Sequence, residues 1–191
     1  MIINKEKKFF STSIPRTGTF FRLDYYLTAN DLFIQRKGVA NIHLSATGTK
    51  KWFLEYYKED YNEYNKVIFV KNPWIRLNSM HNMLYGKKEI ENKKDHFKKY
   101  VMEYWNRSMD RFYLLEDGSD FFDLILQADP DHLKNSIQKV NKILDFQGKE
   151  FEVKISEHHE IYKEWWDQEM IDFIAFREKI TIDKFNYTFE N

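Results

Sequence analysis

The sequence predicts an α/β fold in which helices flank a central, largely parallel β-sheet. Three apolar runs have the length and composition of strands, at Lys8–Ile14, Lys66–Val70 and Phe121–Leu126. Stretches with helical spacing of apolar residues follow them, and strands that alternate with helices are typical of a parallel sheet. A chain of 191 residues is long enough for one domain with a full core and short for two. We therefore expect a single domain over residues 1–191.

The N-terminal third of the chain is predicted to contain a strand, a loop and two helices. The weak alternation of Lys8–Ile14 stops at Pro15, which is consistent with a short strand that enters a loop. Asp31–Leu44 has two apolar patches around Gly38, which indicates a pair of short strands or a strand and a loop. Thr49–Tyr64 has the pattern of an amphipathic helix. Helical spacing also follows the first loop, at Phe20, Leu23, Tyr26 and Leu27.

The remaining elements follow from apolar periodicity and from helix-start signals. Lys66–Val70 is a continuous β-branched and aromatic run, typical of a strand that is buried on both faces. Pro73–Leu84 predicts a helix with proline in its first turn, and Gly86–Lys99 is polar and lysine-rich, which favours an exposed insertion. Asp129-Pro130 starts a helix and His159–Lys179 predicts another. The helix after Asp129 has one apolar face, made of Leu133, Ile137, Val140 and Leu144.

The composition excludes several classes of protein. Thirty basic and thirty acidic residues cancel, which disfavours a globally basic nucleic-acid binder but allows a local positive pocket. The chain has no Cys, so disulfides, thiolate nucleophiles and cysteine-ligated metals are excluded. Neither a signal-peptide core nor an apolar run of membrane-spanning length is present, so we expect a cytoplasmic protein. Aromatic residues make up 18%, enough to line a pocket as well as a core.

The segment Ser13–Thr19 has the pattern of an anion-binding loop. A strand that ends in a glycine-containing loop and continues into a helix lets backbone N–H groups and the helix dipole converge on a phosphate. Arg16 adds a bidentate cation, and Thr17 and Thr19 add hydroxyl groups. The segment lacks the first glycine and the Lys-Ser/Thr pair of the nucleoside-triphosphatase loop. On these residues alone, an ordinary turn and a phosphate loop are equally favoured.

A second cationic stretch follows the strand Lys66–Val70. Lys71 ends that strand, and Arg76 and Ser79 lie one and two turns into the next helix. Two cations and a hydroxyl are thus predicted near one strand end. Solvent exposure of the two cations and simple packing of the serine would explain the same pattern equally well.

Taken together, the two stretches resemble the carbohydrate-type sulfotransferases. VIFVKNPWIRLNSMHNML is similar to their Val-Arg-Asn-Pro-Trp-x-Arg-Leu-x-Ser motif, which is the most specific part, and IPRTGTFF is similar to their first loop. NIHLSATGTKKWFLEYY resembles the segment between them, RFYLLEDGSDFFDLILQADPDHLKNSIQKVNKIL a later strand-helix unit, and TIDKFNYTFEN the C-terminal tail. The similarity covers nearly the whole chain, in the order found in the family.

The resemblance implies a P-loop-like α/β fold and a metal-independent sulfuryl transferase that uses 3′-phosphoadenosine-5′-phosphosulfate (PAPS). The acceptor would be a hydroxyl or amine of a saccharide or other small molecule, not a nucleic acid. The 3′-phosphate of the donor would be bound by Lys71 and Ser79, with Arg76 structural or supporting. The 5′-phosphosulfate would be held by the first loop, which maps to Pro15, Arg16, Thr17, Gly18, Thr19 and Phe20.

Two residues depart from the family pattern. Arg16 stands where the family usually has lysine, and Lys71 stands where it usually has arginine. Both changes keep the charge, but arginine is planar and bidentate whereas lysine is a point charge. The hydrogen bonding to each phosphate is therefore expected to differ from that in the family, and Lys71 is expected to bind the 3′-phosphate less tightly.

The acceptor must lose a proton, and His43 is the predicted general base. It lies between the two motifs and matches the position of the base in several carbohydrate sulfotransferases, while His81 on the predicted helix Pro73–Leu84 is the runner-up. The carboxylates of Asp24 and Glu55 are weaker candidates. The other histidines are expected to be structural or, for the adjacent pair, a weak metal site: His96, His132, His158 and His159.

Two other functions stay open on the sequence. One is a nucleotide-dependent kinase or NTPase on the same fold, which the missing Lys-Ser/Thr pair and the missing strand-end aspartate disfavour. The other is a non-catalytic protein that keeps the nucleotide pocket and has lost the transfer reaction. The changes at Arg16 and Lys71 are the only feature that favours it.

Overall fold

The structure, a computed structural model, describes residues 2–17, 44–58, 60–104, 108–146 and 163–189. These residues form an α/β structure with a mostly parallel four-stranded sheet and six α-helices. Contacts divide the chain into two compact units. The sheet unit comprises Met1–Val70 and Arg111–Val153, and the helical unit comprises Lys71–Asp110 and Lys154–Asn191. The α/β class is confirmed, and a single domain over residues 1–191 stays a prediction.

The sheet has its strands in chain order. They are β1 (Ile2–Asn4), β2 (Phe9–Ser13), β3 (Asn65–Val70) and β4 (Leu124–Gln127). β1 pairs antiparallel with β2, and β2, β3 and β4 are parallel neighbours. Because Ser13 pairs with Phe69, and Val70 with Gln127, the three parallel strands end side by side.

Helices cover both faces of the sheet unit. The two helices of the sheet unit are α1 (Ala46–Tyr57) and α4 (Pro130–Leu144). The helical unit contains the other four: α2 (Pro73–Tyr85), α3 (Lys93–Lys99), α5 (Gln168–Arg177) and α6 (Lys179–Phe185). Successive strand residues face opposite sides. Phe9 accordingly packs in one core with Ile137 and Val140 of α4. Phe10 makes an edge-to-face contact with Phe53 of α1, with ring centroids 5.5 Å apart.

The helical unit has a core of its own. Large aromatic and aliphatic side chains from α2, α3, α5 and the segments next to α3 and α5 meet the C-terminal tail there: Trp74, Leu77, Met80, Phe97, Tyr100, Val101, Trp166, Met170, Ile174 and Tyr187. Two exposed ion pairs also link α3 to the start of α5. The Lys98 Nζ lies 2.8 Å from the Asp167 Oδ2 and 2.6 Å from the Glu169 Oε2. Within the described ranges, none of the helices combines the length and apolar character needed to cross a membrane.

Several predicted elements are confirmed closely. The strand predicted at Lys66–Val70 is β3, and the helix predicted at Pro73–Leu84 is α2. The helix after Asp129 is α4. The four residues predicted to form its apolar face are all buried: Leu133, Ile137, Val140 and Leu144.

Most residues of Gly86–Lys99 are exposed, as predicted, but the segment is not a simple exposed insertion. Its second half is α3, and Phe97 is fully buried in the core of the helical unit. The apolar triad Phe97, Tyr100 and Val101 has the i, i+3, i+4 spacing of a buried helical face. That spacing was hidden in the sequence by the lysines around it.

Other boundaries moved for local reasons. β4 begins only at Leu124, because Phe121 and Phe122 are buried in a bend instead of a strand. α1 ends at Tyr57, since the next residue, Lys58, takes a left-handed conformation with φ 52°. Of the predicted helix His159–Lys179, the described part starts at residue 163 and forms a short 3-10 turn followed by α5, which begins after its N-cap Asp167. The three-residue β1 was not predicted.

Candidate functional site

The loop after β2 is a tight turn that begins at Ile14. The Ile14 carbonyl oxygen accepts two hydrogen bonds from Thr17, one from the backbone N–H at 3.3 Å and one from Oγ1 at 2.9 Å. Thr17 is fully buried and Pro15 is half-buried. Since both donors of Thr17 are used inside the turn, this residue shapes the loop and is not a phosphate donor in this conformation.

Arg16 occupies a strained position at the tip of this turn. Its φ is 68°, in the left-handed region that costs a non-glycine residue about 1–2 kcal/mol. The side chain is half-buried, and that burial lowers the pKa of the guanidinium. Backbone strain of this kind persists where surrounding structure imposes it, and it is concentrated at ligand-binding loops. Gly18, Thr19 and Phe20 lie outside the described residues.

The second motif starts directly after β3. Lys71 follows Val70, and Asn72 is the N-cap of α2, with its Oδ1 accepting hydrogen bonds from the backbone N–H groups of Trp74 at 3.1 Å and Ile75 at 3.4 Å. The first amides of the helix are therefore satisfied by its own cap. Lys71 and Ser79 are nearly fully buried. Side chains, not the helix N-terminus, are thus the binding groups that this motif offers.

Arg76 forms a buried ion pair. Its Nη2 lies 3.4 Å from the Oε1 of Glu178, and neither side chain has any exposed surface. The other carboxylate oxygen, Oε2, accepts a hydrogen bond from the backbone N–H of Met109 at 2.7 Å. Burial lowers the pKa of Arg76 and raises that of Glu178, and each partner's charge acts in the opposite direction. This placement favours the supporting role for Arg76 over direct contact with a ligand.

Other residues of the second motif pack the helical unit. The Asn72 Nδ2 donates to the carbonyl oxygen of Thr188 at 2.8 Å, which ties the start of α2 to the C-terminal tail. The Asn78 Oδ1 accepts a hydrogen bond from the Trp166 Nε1 at 3.1 Å. Much of the most family-specific stretch therefore holds α2 in place. Lys71 and Ser79 are its candidates for ligand binding.

The predicted site residues fall in both units. Arg16 and its loop belong to the sheet unit, whereas Lys71, Arg76 and Ser79 belong to the helical unit. The strand ends that precede the two motifs are neighbours, because β2 and β3 run parallel and Ser13 pairs with Phe69. Each motif thus starts from the carboxyl end of a parallel strand, where ligands bind in open α/β sheets.

Two of the four candidates for the general base, His43 and Asp24, lie outside the described residues. His158 and His159, the pair considered as a weak metal site, lie outside them as well. Glu55 is exposed on α1, with its Oε1 3.8 Å from the Nζ of Lys51 one turn away.

His81 is buried and held by a second histidine. Its Nε2 lies 3.0 Å from the Nδ1 of His96, and only 3% of its surface is exposed. Burial, helped by the neighbouring His96, lowers the pKa of His81 to about 4. A side chain with such a pKa is neutral at pH 7 and a weak proton acceptor. The structure therefore disfavours the runner-up base.

The lowered pKa of His81 predicts a loss of stability in acid. Above the ordinary pKa of 6.5 His81 is neutral in both states, but between 6.5 and about 4 only the unfolded chain takes up its proton. The free energy of unfolding should fall as the pH decreases through this window. We expect a loss of about 1–3 kcal/mol, since each unit of pKa shift corresponds to about 1.4 kcal/mol.

Urea unfolding at a series of pH values would measure this loss. His81→Gln should flatten the dependence between pH 6.5 and 4, while the matched variant His132→Gln, at an exposed site on α4, should leave it unchanged. Equal profiles for wild type and His81→Gln would contradict the prediction.

Sequence reasoning missed Glu178, which is central to the helical unit. It is buried between α5 and α6 and reaches the Arg76 side chain and the Met109 backbone. Its signal was weak, because Glu178 is a single acidic residue at the end of a mostly apolar helical pattern, four positions after Ile174. A buried partner for Arg76 could not be chosen from the many acidic residues of the chain.

Comparison with known proteins finds no matching family model, no matching curated protein and no matching solved structure. Any assignment of function therefore depends on the two motifs and on the geometry of the residues within them.

Proposed function

We propose that the protein is a sulfotransferase that moves a sulfuryl group from PAPS to a hydroxyl or amine of a saccharide or similar small acceptor. The observation that carries the proposal is that two cationic motifs follow neighbouring parallel strands, Arg16 after β2 and Lys71 after β3. A donor with a phosphate at each end needs two such anion sites. The P-loop-like fold that we infer would place both at the carboxyl edge of the sheet.

In this proposal the first loop binds the 5′-phosphosulfate. Arg16 is the cation that neutralises the charge which develops on the leaving phosphate, and the segment 15–20 surrounds it. The buried Thr17 supports this role by fixing the turn through its two hydrogen bonds to Ile14. The left-handed backbone of Arg16 supports it as well, because the turn imposes a costly conformation on the residue that bears the charge.

The second motif binds the 3′-phosphate through the side chains of Lys71 and Ser79. Arg76 does not touch the ligand but anchors α2 through its buried pair with Glu178. Asn72 anchors the same helix through its cap and its bond to Thr188. Ser79 is thereby carried on a helix that is fixed at both its first and second turns, and Lys71 directly precedes the cap of that helix, which supports pre-organised binding of a phosphate.

Transfer would need positioning and charge stabilisation more than covalent help from the protein, as in phosphoryl transfer. PAPS supplies the sulfuryl group, whose sulfur forms a bond to the acceptor oxygen or nitrogen while its bond to the 5′-phosphate oxygen breaks. His43 takes the proton from the acceptor in this proposal.

Comparing the binding of two nucleotides, one with and one without a 3′-phosphate, tests the assignment of Lys71 to that phosphate. The product 3′,5′-adenosine bisphosphate (PAP) should raise the melting temperature by about 5–10 °C at a hundred times its Kd, for a chain of this size. Lys71→Ala should weaken PAP binding about ten- to a hundredfold, since hydrogen bonds to charged groups contribute about 1.5–3 kcal/mol. The same variant should bind AMP, which lacks the 3′-phosphate, as well as the wild type does. Calorimetric titration would measure all four affinities.

The alternatives predict other outcomes. A preference for ATP with Mg²⁺ over PAP would identify a kinase or NTPase and overturn the proposal. Tight PAP binding without PAP release from PAPS, over a panel of saccharide acceptors, would favour a non-catalytic nucleotide-binding protein. Equal weakening of PAP and AMP by Lys71→Ala would refute the 3′-phosphate assignment.

A further inference from the structure

The helical unit contains a cavity of about 550 Å³ beside the C-terminal end of α2. Its wall combines the last residues of α2, the turn that follows, the first residue of α3 and the ring of Trp165. Sites for small molecules have volumes of about 300–1,000 Å³. The cavity is therefore large enough for a compact organic ligand.

Most of the wall is apolar or aromatic. Met83 and Leu84 line it and are 52% and 43% exposed, which is unusual for large apolar side chains. Tyr85 and Trp165 supply two aromatic rings that both contact His81, with centroids 5.2 and 6.1 Å from the His81 ring. Exposed apolar groups that gather in a concave wall favour a ligand with an apolar body.

Positive charge is concentrated at the rim of the same cavity. Lys87, Lys88 and Lys93 line it, and the described lining residues include neither Asp nor Glu. The Nζ of Lys88 lies 4.6 Å from the centroid of the Tyr85 ring. His81 adds no charge at pH 7, because burial holds its pKa at about 4. Cations thus surround an apolar interior.

We infer that this cavity binds a small aromatic monoanion, a carboxylate or sulfonate whose ring contacts the wall that includes Tyr85 and Trp165 while its charge meets the lysines at the rim. The rings favour an aromatic body through edge-to-face contacts. The three lysines select a negative group by charge and by hydrogen bonds. None of Arg16, Lys71 and Ser79 lines the cavity. The inference therefore does not depend on the proposed sulfotransferase activity.

A fluorescent aromatic sulfonate is a direct probe of this site. 8-Anilinonaphthalene-1-sulfonate should bind the folded wild-type chain at pH 7 with saturable, one-to-one stoichiometry and enhanced emission. N-phenyl-1-naphthylamine has the same rings without the sulfonate, and should bind at least about tenfold more weakly. Equal affinity for the two dyes, or binding that does not saturate, would overturn the inference.

A carboxylate placed in the wall should repel the probe. Leu84→Asp should weaken binding of the sulfonate by at least about tenfold. Leu54→Asp on α1 is the matched control, because Leu54 is 46% exposed, close to the 43% of Leu84, and does not line the cavity. The control should bind like the wild type. Equal weakening by both variants would mean that the dye binds elsewhere.

Charge reversal distinguishes a local effect of the three lysines at the rim from an effect of the net charge of the protein. The combined change Lys87→Glu, Lys88→Glu and Lys93→Glu should abolish the preference for the sulfonate over the neutral dye. The same change in net charge on α4, by Lys134→Glu, Lys139→Glu and Lys142→Glu, should preserve that preference, since these side chains are exposed and remote in sequence. Loss of the preference in both triple variants would refute recognition at the rim.

Methyl NMR tests the location without any substitution. In a chain labelled at the methionine methyl groups, the Met83 signal should shift on addition of the sulfonate, while that of the fully buried Met109 should not. An unchanged Met83 signal at saturating dye would place the probe outside the cavity and overturn the inference.

Discussion

Glu178→Gln is expected to reduce the free energy of unfolding by about 3–5 kcal/mol, the usual cost of removing one partner from a buried ion pair. The shape of the side chain is kept, and its amide oxygen can still accept from Met109. The Arg76 guanidinium, however, stays in a site where it has no exposed surface and loses the charge 3.4 Å away. Burial already opposes the charged form of Arg76, and only Glu178 and weaker neighbours offset it. Chemical unfolding monitored by circular dichroism measures the loss.

A double variant shows whether the loss of stability comes from burying the Arg76 charge without the charge of Glu178. Arg76→Met combined with Glu178→Gln should recover most of the stability, since an apolar side chain of similar length can fill the site without a desolvation cost. Lys179→Gln, at the residue after Glu178, is a suitable control. It removes only an exposed ion pair with Asp183 and should change the free energy of unfolding little. A double variant that is less stable than Glu178→Gln alone would contradict this account.

Arg16→Ala is expected to lower the rate of sulfuryl transfer by about a hundred- to a thousandfold, the usual effect of removing one group that stabilises developing charge. Arg16→Lys, which restores the usual residue of the resembling family, should keep most of the activity. His43→Ala should lower the rate by about a hundred- to ten-thousandfold, because it removes the proposed general base. PAP released from PAPS in the presence of a panel of saccharides is the measurement.

Nucleotide affinity separates the two roles. Arg16→Ala should weaken both PAP and AMP, because both carry the 5′-phosphate, whereas His43→Ala should leave both affinities unchanged. Arg16→Gly should match Arg16→Ala in transfer but be more stable, since glycine adopts the φ of 68° without strain. Transfer that survives in Arg16→Ala, or PAP affinity that falls in His43→Ala, would refute the respective role.

Elements with strong local signals were predictable from the sequence. β3 is a continuous apolar run, and α4 has a proline start and a complete apolar face, so pattern alone located both. α3 was missed because a lysine-rich surface conceals Phe97, whose burial depends on partners far along the chain. β1 was missed because three residues carry too little pattern, and only pairing with β2 makes them a strand.

The candidate site divides in the same way. The sequence located both cationic motifs, because each follows a strand signal, and the structure confirms the strand before each one. It could not reveal that Thr17 closes the turn, since either a turn or a phosphate loop uses threonine there. The buried pairing of Arg76 with Glu178 was equally inaccessible. Contacts between distant segments depend on the assembled core, which no local pattern encodes.

The pairing of Arg76 with Glu178 also limits how early the helical unit can fold during synthesis. The two residues are 102 positions apart, so at about 5–20 residues per second the ribosome adds the glutamate about 5–20 s after the arginine. Throughout that interval the guanidinium has to remain in water, and α2 lacks the partners that cover Trp74 and Leu77. β1, β2 and β3 are complete in sequence by Val70, well before this delay ends. The helical unit is therefore the last part of the described structure to close, because its core includes Ile174 and Tyr187, which are synthesised after every strand of the sheet.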